Sequence, residues 1–143
     1  MRPLPLLAAL TLAGCAAAQP QAAAEPAPAH GRATIALGES ARIAGVTVRA
    51  LRIEEDSRCP ASVQCVHAGT VRLRVALDRE PRETVLRLNE AQTLGSGPWI
   101  ALFAVCPDPR ASGPAAPGAY RFTLLAAHGA IAPAAPGPCP PAP

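Results

Sequence analysis

The sequence contains no lysine; all thirteen of its basic residues are arginine. Aromatic residues are almost as scarce, and Trp99, Phe103, Tyr120 and Phe122 are the full set. A large aromatic core is therefore excluded, and Val, Leu and Ile must fill what core there is. The formal charge is only +3 over 143 residues, and the arginines are spread along the chain. That is too little and too dispersed for a nucleic-acid partner. No segment is long and apolar enough to span a bilayer as a helix. No window carries a helical stripe, no internal repeat is present, and no Gly-rich phosphate loop occurs.

Catalytic chemistry is equally thin. Of the three histidines, His30 and His128 lie towards the ends and leave His67 alone in the body. General acid–base catalysis by histidine is not expected from one such residue. Ser57 and Ser62 lack a triad context, and Gly95-Ser96-Gly97 is not a nucleophile elbow. Asp56, Cys59, Cys65 and His67 have atoms suited to zinc or copper. An oxidised cysteine pair supplies no thiolate, however, and the spacing matches no standard finger. The expectation is no catalytic residue, no metal and no cofactor. The acidic run Glu54-Glu55-Asp56 reads as a solvated strand end.

What is present begins at the amino end. Arg2 provides a short positive region, and Leu4 to Ala13 is an apolar run of signal-peptide length. It ends in Leu12-Ala13-Gly14-Cys15, which resembles the lipobox of bacterial lipoproteins. The resemblance implies cleavage before Cys15 and acylation of its thiol, giving a lipid anchor that does not span the membrane. The alternative is an ordinary signal peptide cut near Ala16 to Ala18. Ala16 is not the acidic residue of an inner-membrane retention signal, so an outer-membrane location facing the periplasm is expected. The domain plan is a leader over 1–14, a lipidated Ala/Pro-rich tether over 15–31, a β domain over 32–126 and a Pro-rich tail over 127–143. The low-complexity ends cannot build a core.

Inside the body the apolar period is two. Val71, Leu73, Val75 and Leu77 alternate with Arg72 and Arg74. Tyr120, Phe122 and Leu124 alternate with Arg121 and Thr123, and Leu86 and Leu88 with Arg87. Val46 to Ile53 alternates too, but its parity switches between Ala50 and Leu51, which predicts a β-bulge. Trp99 to Val105 is apolar on both faces, as in a covered strand. Ala33 to Leu37 and Ala41 to Ile43, around Gly38, read as a short pair. About seven short strands predict an all-β fold, either a Greek-key, Ig-like β-sandwich or a small barrel. Gly118-Ala119-Tyr120 is placed like a tyrosine corner, the alternative being an ordinary interfacial core tyrosine.

Four cysteines remain in the body, and export would leave them oxidised. Of three possible pairings, Cys59–Cys65 is favoured because a short loop closes readily. Closing it is worth about 2.4 kcal/mol in the chain-entropy model. Cys106–Cys139 then follows by elimination, the alternative being two unpaired thiols. The stretch Asp56-Ser57-Arg58-Cys59-Pro60, four residues, Cys65, two residues, Ala68-Gly69 is the most distinctive part of the chain. It resembles the signature of a family of small bacterial lipoproteins and secreted proteins of uncharacterised activity. Members often carry Trp where this chain has His67. The resemblance transfers no activity.

Two readings of this loop follow. As a plug it closes one end of the fold, with Asp56 and Ser57 bonding local backbone and Arg58 forking onto Asp56 or a carbonyl. As a recognition loop it presents Asp56, Arg58, Gln64 and His67 to an envelope protein or glycan; only this reading puts Arg58, Gln64 and His67 in solvent. The functional expectation is a membrane-anchored, non-catalytic binding or structural module, the alternative being a periplasmic metal-handling or hydrolytic protein.

Overall fold

The computed structural model describes residues 29–67, 69–95, 97–130 and 139. The leader, Cys15 and most of the expected tether and tail lie outside the described residues. Eight strands occur in chain order: β1 His30–Ile35, β2 Ser40–Ile43, β3 Val46–Asp56, β4 Val71–Leu77, β5 Thr84–Arg87, β6 Ala91–Thr93, β7 Trp99–Cys106 and β8 Arg121–Ala127. One 3-10 turn, Pro117–Ala119, precedes β8.

The strands form two four-stranded antiparallel sheets, ordered β1-β8-β7-β6 and β2-β3-β4-β5, which pack as a sandwich. The expected all-β class is what the chain adopts, and its order is a meander rather than a Greek key. Consecutive strands neighbour one another through β2 to β5 and through β6 to β8, and β1 pairs with β8. The short opening pair does not form. The segment around Gly38 carries the chain from one sheet to the other, so that β1 pairs with β8 and β2 with β3. His30, expected in the tether, is the first residue of β1.

Alternation explains the core. On β4, Val71, Leu73 and Val75 are fully buried, while Arg72 and Arg74 face outwards. Val46, Val48 and Ala50 continue that layer on β3. Phe122, Leu124, Ile100 and Leu102 supply the opposing sheet. Burial of each such side chain contributes about 1.5–3 kcal/mol before entropy is counted.

The bulge expected after Ala50 is present, as a register shift between Ala50 and Arg52. A second shift lies between Ile53 and Glu55. Its consequence is the key to the site. Ile53 pairs with inward-facing Leu73, Glu55 with outward-facing Arg72, and Asp56 with inward-facing Val71. One extra residue thus returns the last side chain of β3 to the interior face, where plain alternation would have aimed it at solvent.

Candidate functional site

The segment 57–70 joins β3 to β4 at one end of the sandwich. Its base is built from the residues that the sequence motif contains. Asp56 and Arg58 form a fork: Arg58 Nε donates to Asp56 Oδ1 at 2.8 Å, and Nη2 donates to Oδ2 at 2.8 Å. The remaining donors of Arg58 cross to the other sheet, Nη1 to the Val105 carbonyl at 2.6 Å and Nη2 to the Pro107 carbonyl at 3.0 Å. Tyr120 Oη donates to Asp56 Oδ2 at 2.8 Å. Side-chain exposure is only 6% for Asp56 and 11% for Arg58. The network therefore ties the end of β3 to the end of β7 and the start of β8.

Tyr120 is buried, and its ring stacks on Phe122 with centroids 5.8 Å apart. Its hydroxyl donates to a carboxylate on the opposite sheet, and it also has a backbone contact with Ala115, five residues upstream, of the kind that makes a tyrosine corner. Asp56 departs from the solvated strand end expected of the acidic run. Glu54 and Glu55 do face outwards and pair with Arg72 and Arg74; Asp56 does not.

Ser57 completes the base. Its N–H donates to the Thr70 carbonyl at 2.8 Å, Thr70 N–H donates to Ser57 Oγ at 3.0 Å, and Ser57 Oγ donates to Glu55 Oε1 at 2.8 Å. Gly69 packs directly over Ser57 with φ +69°. Above this base, Cys59 and Cys65 are bonded to one another, with Cα atoms 6.0 Å apart. Cys106 and Cys139 form the second pair. Both are the pairings favoured from the sequence.

The four candidate binding residues separate into two pairs. Asp56 and Arg58 turn inwards, bonded to each other, to Tyr120 and to the carbonyls of Val105 and Pro107. Gln64 and His67 stand exposed on the tip. Two neighbours that carry no signal in the motif join them: Val63 is 45% exposed and Val66 is 92% exposed. These are the exposed large hydrophobic residues of the described part of the chain. Beside the loop lies a cleft of about 180 Å³ between Arg58 and Pro60 on one wall and Pro107 to Ala115 on the other. Small-molecule sites occupy about 300–1,000 Å³. The cleft suits one inserted side chain better than a metabolite. Among the described residues, no three His, Cys, Asp or Glu side chains converge as a metal site.

The network sets the electrostatics. Burial would raise the Asp56 carboxyl, but the hydrogen bonds from Arg58 and Tyr120 and the guanidinium charge outweigh it and hold it below its ordinary value. Burial first, and the Asp56 carboxylate second, push the Tyr120 hydroxyl above 10.0. Stability therefore has two limbs. Asp56 stays charged in the fold at pH values where the unfolded carboxyl is protonated. Its contribution is complete above the ordinary carboxyl range and lost as pH falls through the folded value. Tyr120 resists ionisation that the unfolded phenol accepts, so stability also falls as pH rises past about 10. Tyr120 is the sole tyrosine and there is no lysine, which makes the alkaline limb attributable. Tyr120→Phe is expected to abolish it, as read by melting temperature against pH. Phenolate absorbance in the folded protein should titrate above 10, and an ordinary titration would contradict the network.

A scan against protein-family models, a search of curated proteins and a search of solved structures each found no match to this chain.

Proposed function

We propose that this is a lipid-anchored protein of the cell envelope, held through acylated Cys15 in the outer membrane and facing the periplasm. Its sandwich is a non-catalytic binding module that presents the tip of the Cys59–Cys65 loop to another envelope protein. The observation that supports this most is the contrast between the loop's two ends. Its base is fixed by a buried ion pair, a cross-strand serine and a disulfide. Its tip holds Val63 and Val66 in water. Ordering a loop costs about 1–2 kcal/mol per residue in backbone entropy. A loop ordered in this way and ending in exposed valines fits a preorganised contact surface. A protein partner is favoured over a glycan because sugar faces stack on aromatic rings, and His67 stands where the resembled family often has Trp.

The inward turn of Asp56 and Arg58 favours a second reading, in which the motif is only a plug and the body has no ligand. A photoreactive side chain at position 66 in whole envelopes separates the two. Binding predicts one discrete crosslinked adduct that His67→Ala weakens without changing the melting temperature. Absence of any adduct, with wild-type stability retained, would leave the plug alone. Stoichiometric zinc or copper in oxidised protein would instead point to the metal-handling alternative.

A further inference from the structure

We infer that the outer face of the β2–β5 sheet docks on a bilayer surface through anionic phospholipid headgroups. The register places six arginines on this one face: Arg42 on β2, Arg49 and Arg52 on β3, Arg72 and Arg74 on β4, and Arg87 on β5. Two of the cross-strand pairs are like-charged, Arg52 opposite Arg74 and Arg72 opposite Arg87. Such pairs are destabilising in a sheet that serves only as scaffold. Glu54, Glu55 and Glu83 neutralise the middle of the face by pairing with Arg52, Arg72 and Arg74. Arg42, Arg49 and Arg87 are exposed and, among the described residues, have no carboxylate within ion-pair reach. Arg72 Nε is buried without a hydrogen-bond acceptor. The face thus carries an excess of three positive charges, six arginines against three glutamates.

The shape and chemistry select the occupant. Guanidinium groups fork onto phosphate oxygens. The cleft between Arg58 and the 107–115 segment lies at the loop end of the sandwich and includes none of these six arginines. A nearly flat array of phosphates meets it across all four strands. This inference rests on the proposed anchor at Cys15 only for keeping the domain close to a bilayer. The fourteen residues 16–29 reach at most about 50 Å, which leaves any face of the domain free to turn towards the surface.

The test uses the full chain carrying Cys15→Ser, so that no acyl chain contributes. Its partition onto vesicles of phosphatidylcholine is compared with that onto vesicles containing about one-third phosphatidylglycerol. The ratio of the two is read, and any apolar contribution of the leader cancels in it. Wild type should prefer the anionic vesicles, and the preference should vanish near 1 M salt, where the screening length is about 3 Å. Replacing Arg42, Arg49 and Arg87 together by Gln should reduce the ratio on the order of a hundredfold, about fivefold per arginine. Replacing Arg32, Arg110 and Arg121 by Gln removes the same charge elsewhere and should leave most of the ratio. Equal losses in the two triple variants would overturn the inference, since net charge alone would then be acting. So would a wild-type ratio near one, or capture by a sulfated polysaccharide without anionic preference on vesicles. Anchoring itself is read separately, by palmitate labelling of wild type and Cys15→Ser, so failure of the anchor and failure of the face are distinguishable.

Discussion

Asp56→Ala is expected to lower the stability of the domain by about 3–5 kcal/mol. The reason is what it leaves behind. Arg58, only 11% exposed beside Asp56, would be left with its guanidinium charge facing two carbonyls and no anion. Tyr120 Oη, which now donates to Asp56 Oδ2 at 2.8 Å, would lose its acceptor in the interior. A domain of about 100 residues loses about 4–8 °C of melting temperature per kcal/mol, so a fall of more than about 12 °C should be visible by circular dichroism. Against a total stability of about 5–15 kcal/mol for a domain of this kind, the loss is large enough to leave the weakest case partly unfolded.

A cycle with Arg58→Met separates the pair from its parts. Arg58→Met alone leaves a buried carboxylate with no cation, held only by the Tyr120 hydroxyl and the backbone N–H of residue 58, and should be nearly as damaging. The double variant Asp56→Ala, Arg58→Met removes both charges and should recover part of the loss, because a buried pair is often replaceable by apolar groups of similar volume. The carbonyls of Val105 and Pro107 would still lack their donors, so recovery should be incomplete. Strict additivity of the two single losses would mean that the two residues do not act as one network. His67→Ala belongs to a different class: the residue is exposed, and its replacement should leave the melting temperature unchanged.

How far this network is legible in the sequence depends on which residues carry apolar markers. The strand from Val71 to Leu77 alternates without interruption, and its burial follows that alternation residue by residue. The first bulge of β3 shows because apolar residues on either side of Ala50 change parity. The second bulge lies at Ile53/Glu55, next to three consecutive acids. No apolar residue there reveals which face the chain presents, so Asp56 reads as solvated when it is in fact the buried acceptor of the site. The fork of Arg58 onto Asp56 and onto carbonyls is readable from local spacing; that the carbonyls belong to Val105 and Pro107, at and just past the end of β7 in the other sheet, is not. Strand β6 has only Ala91, Gln92 and Thr93, too short and too polar to show a period. The order of strands is likewise silent in the pattern, because alternation fixes which face is buried and not which strand lies alongside. The meander is settled by the crossing near Gly38 and by the pairing of β1 with β8, contacts far apart in the chain.

Gly69→Ala should be among the most damaging single-methyl additions to this chain, with an expected loss of about 3–5 kcal/mol. Two effects combine. At φ +69° an L side chain sits in the left-handed region, which costs about 1–3 kcal/mol. The new Cβ would also lie 1.7 Å from the Ser57 carbonyl oxygen and 2.4 Å from its carbonyl carbon. Both obstacles are backbone, so no rotamer change relieves the overlap, and the two chains at the loop base must part. Parting them breaks the Ser57–Thr70 bonds at 2.8 and 3.0 Å, each worth about 1 kcal/mol net. Gly38→Ala is the matched control. Gly38 has φ +82°, but a methyl group added there would meet nothing within 4 Å, so it isolates backbone strain from collision. A Gly69→Ala protein as stable as Gly38→Ala would show that the loop base is not held against Ser57. If the larger loss appears, the glycine of the motif is there to let segment 57–70 close on itself. Position 66 in that variant should then lose its discrete crosslink as well, because the tip would no longer be presented in one orientation.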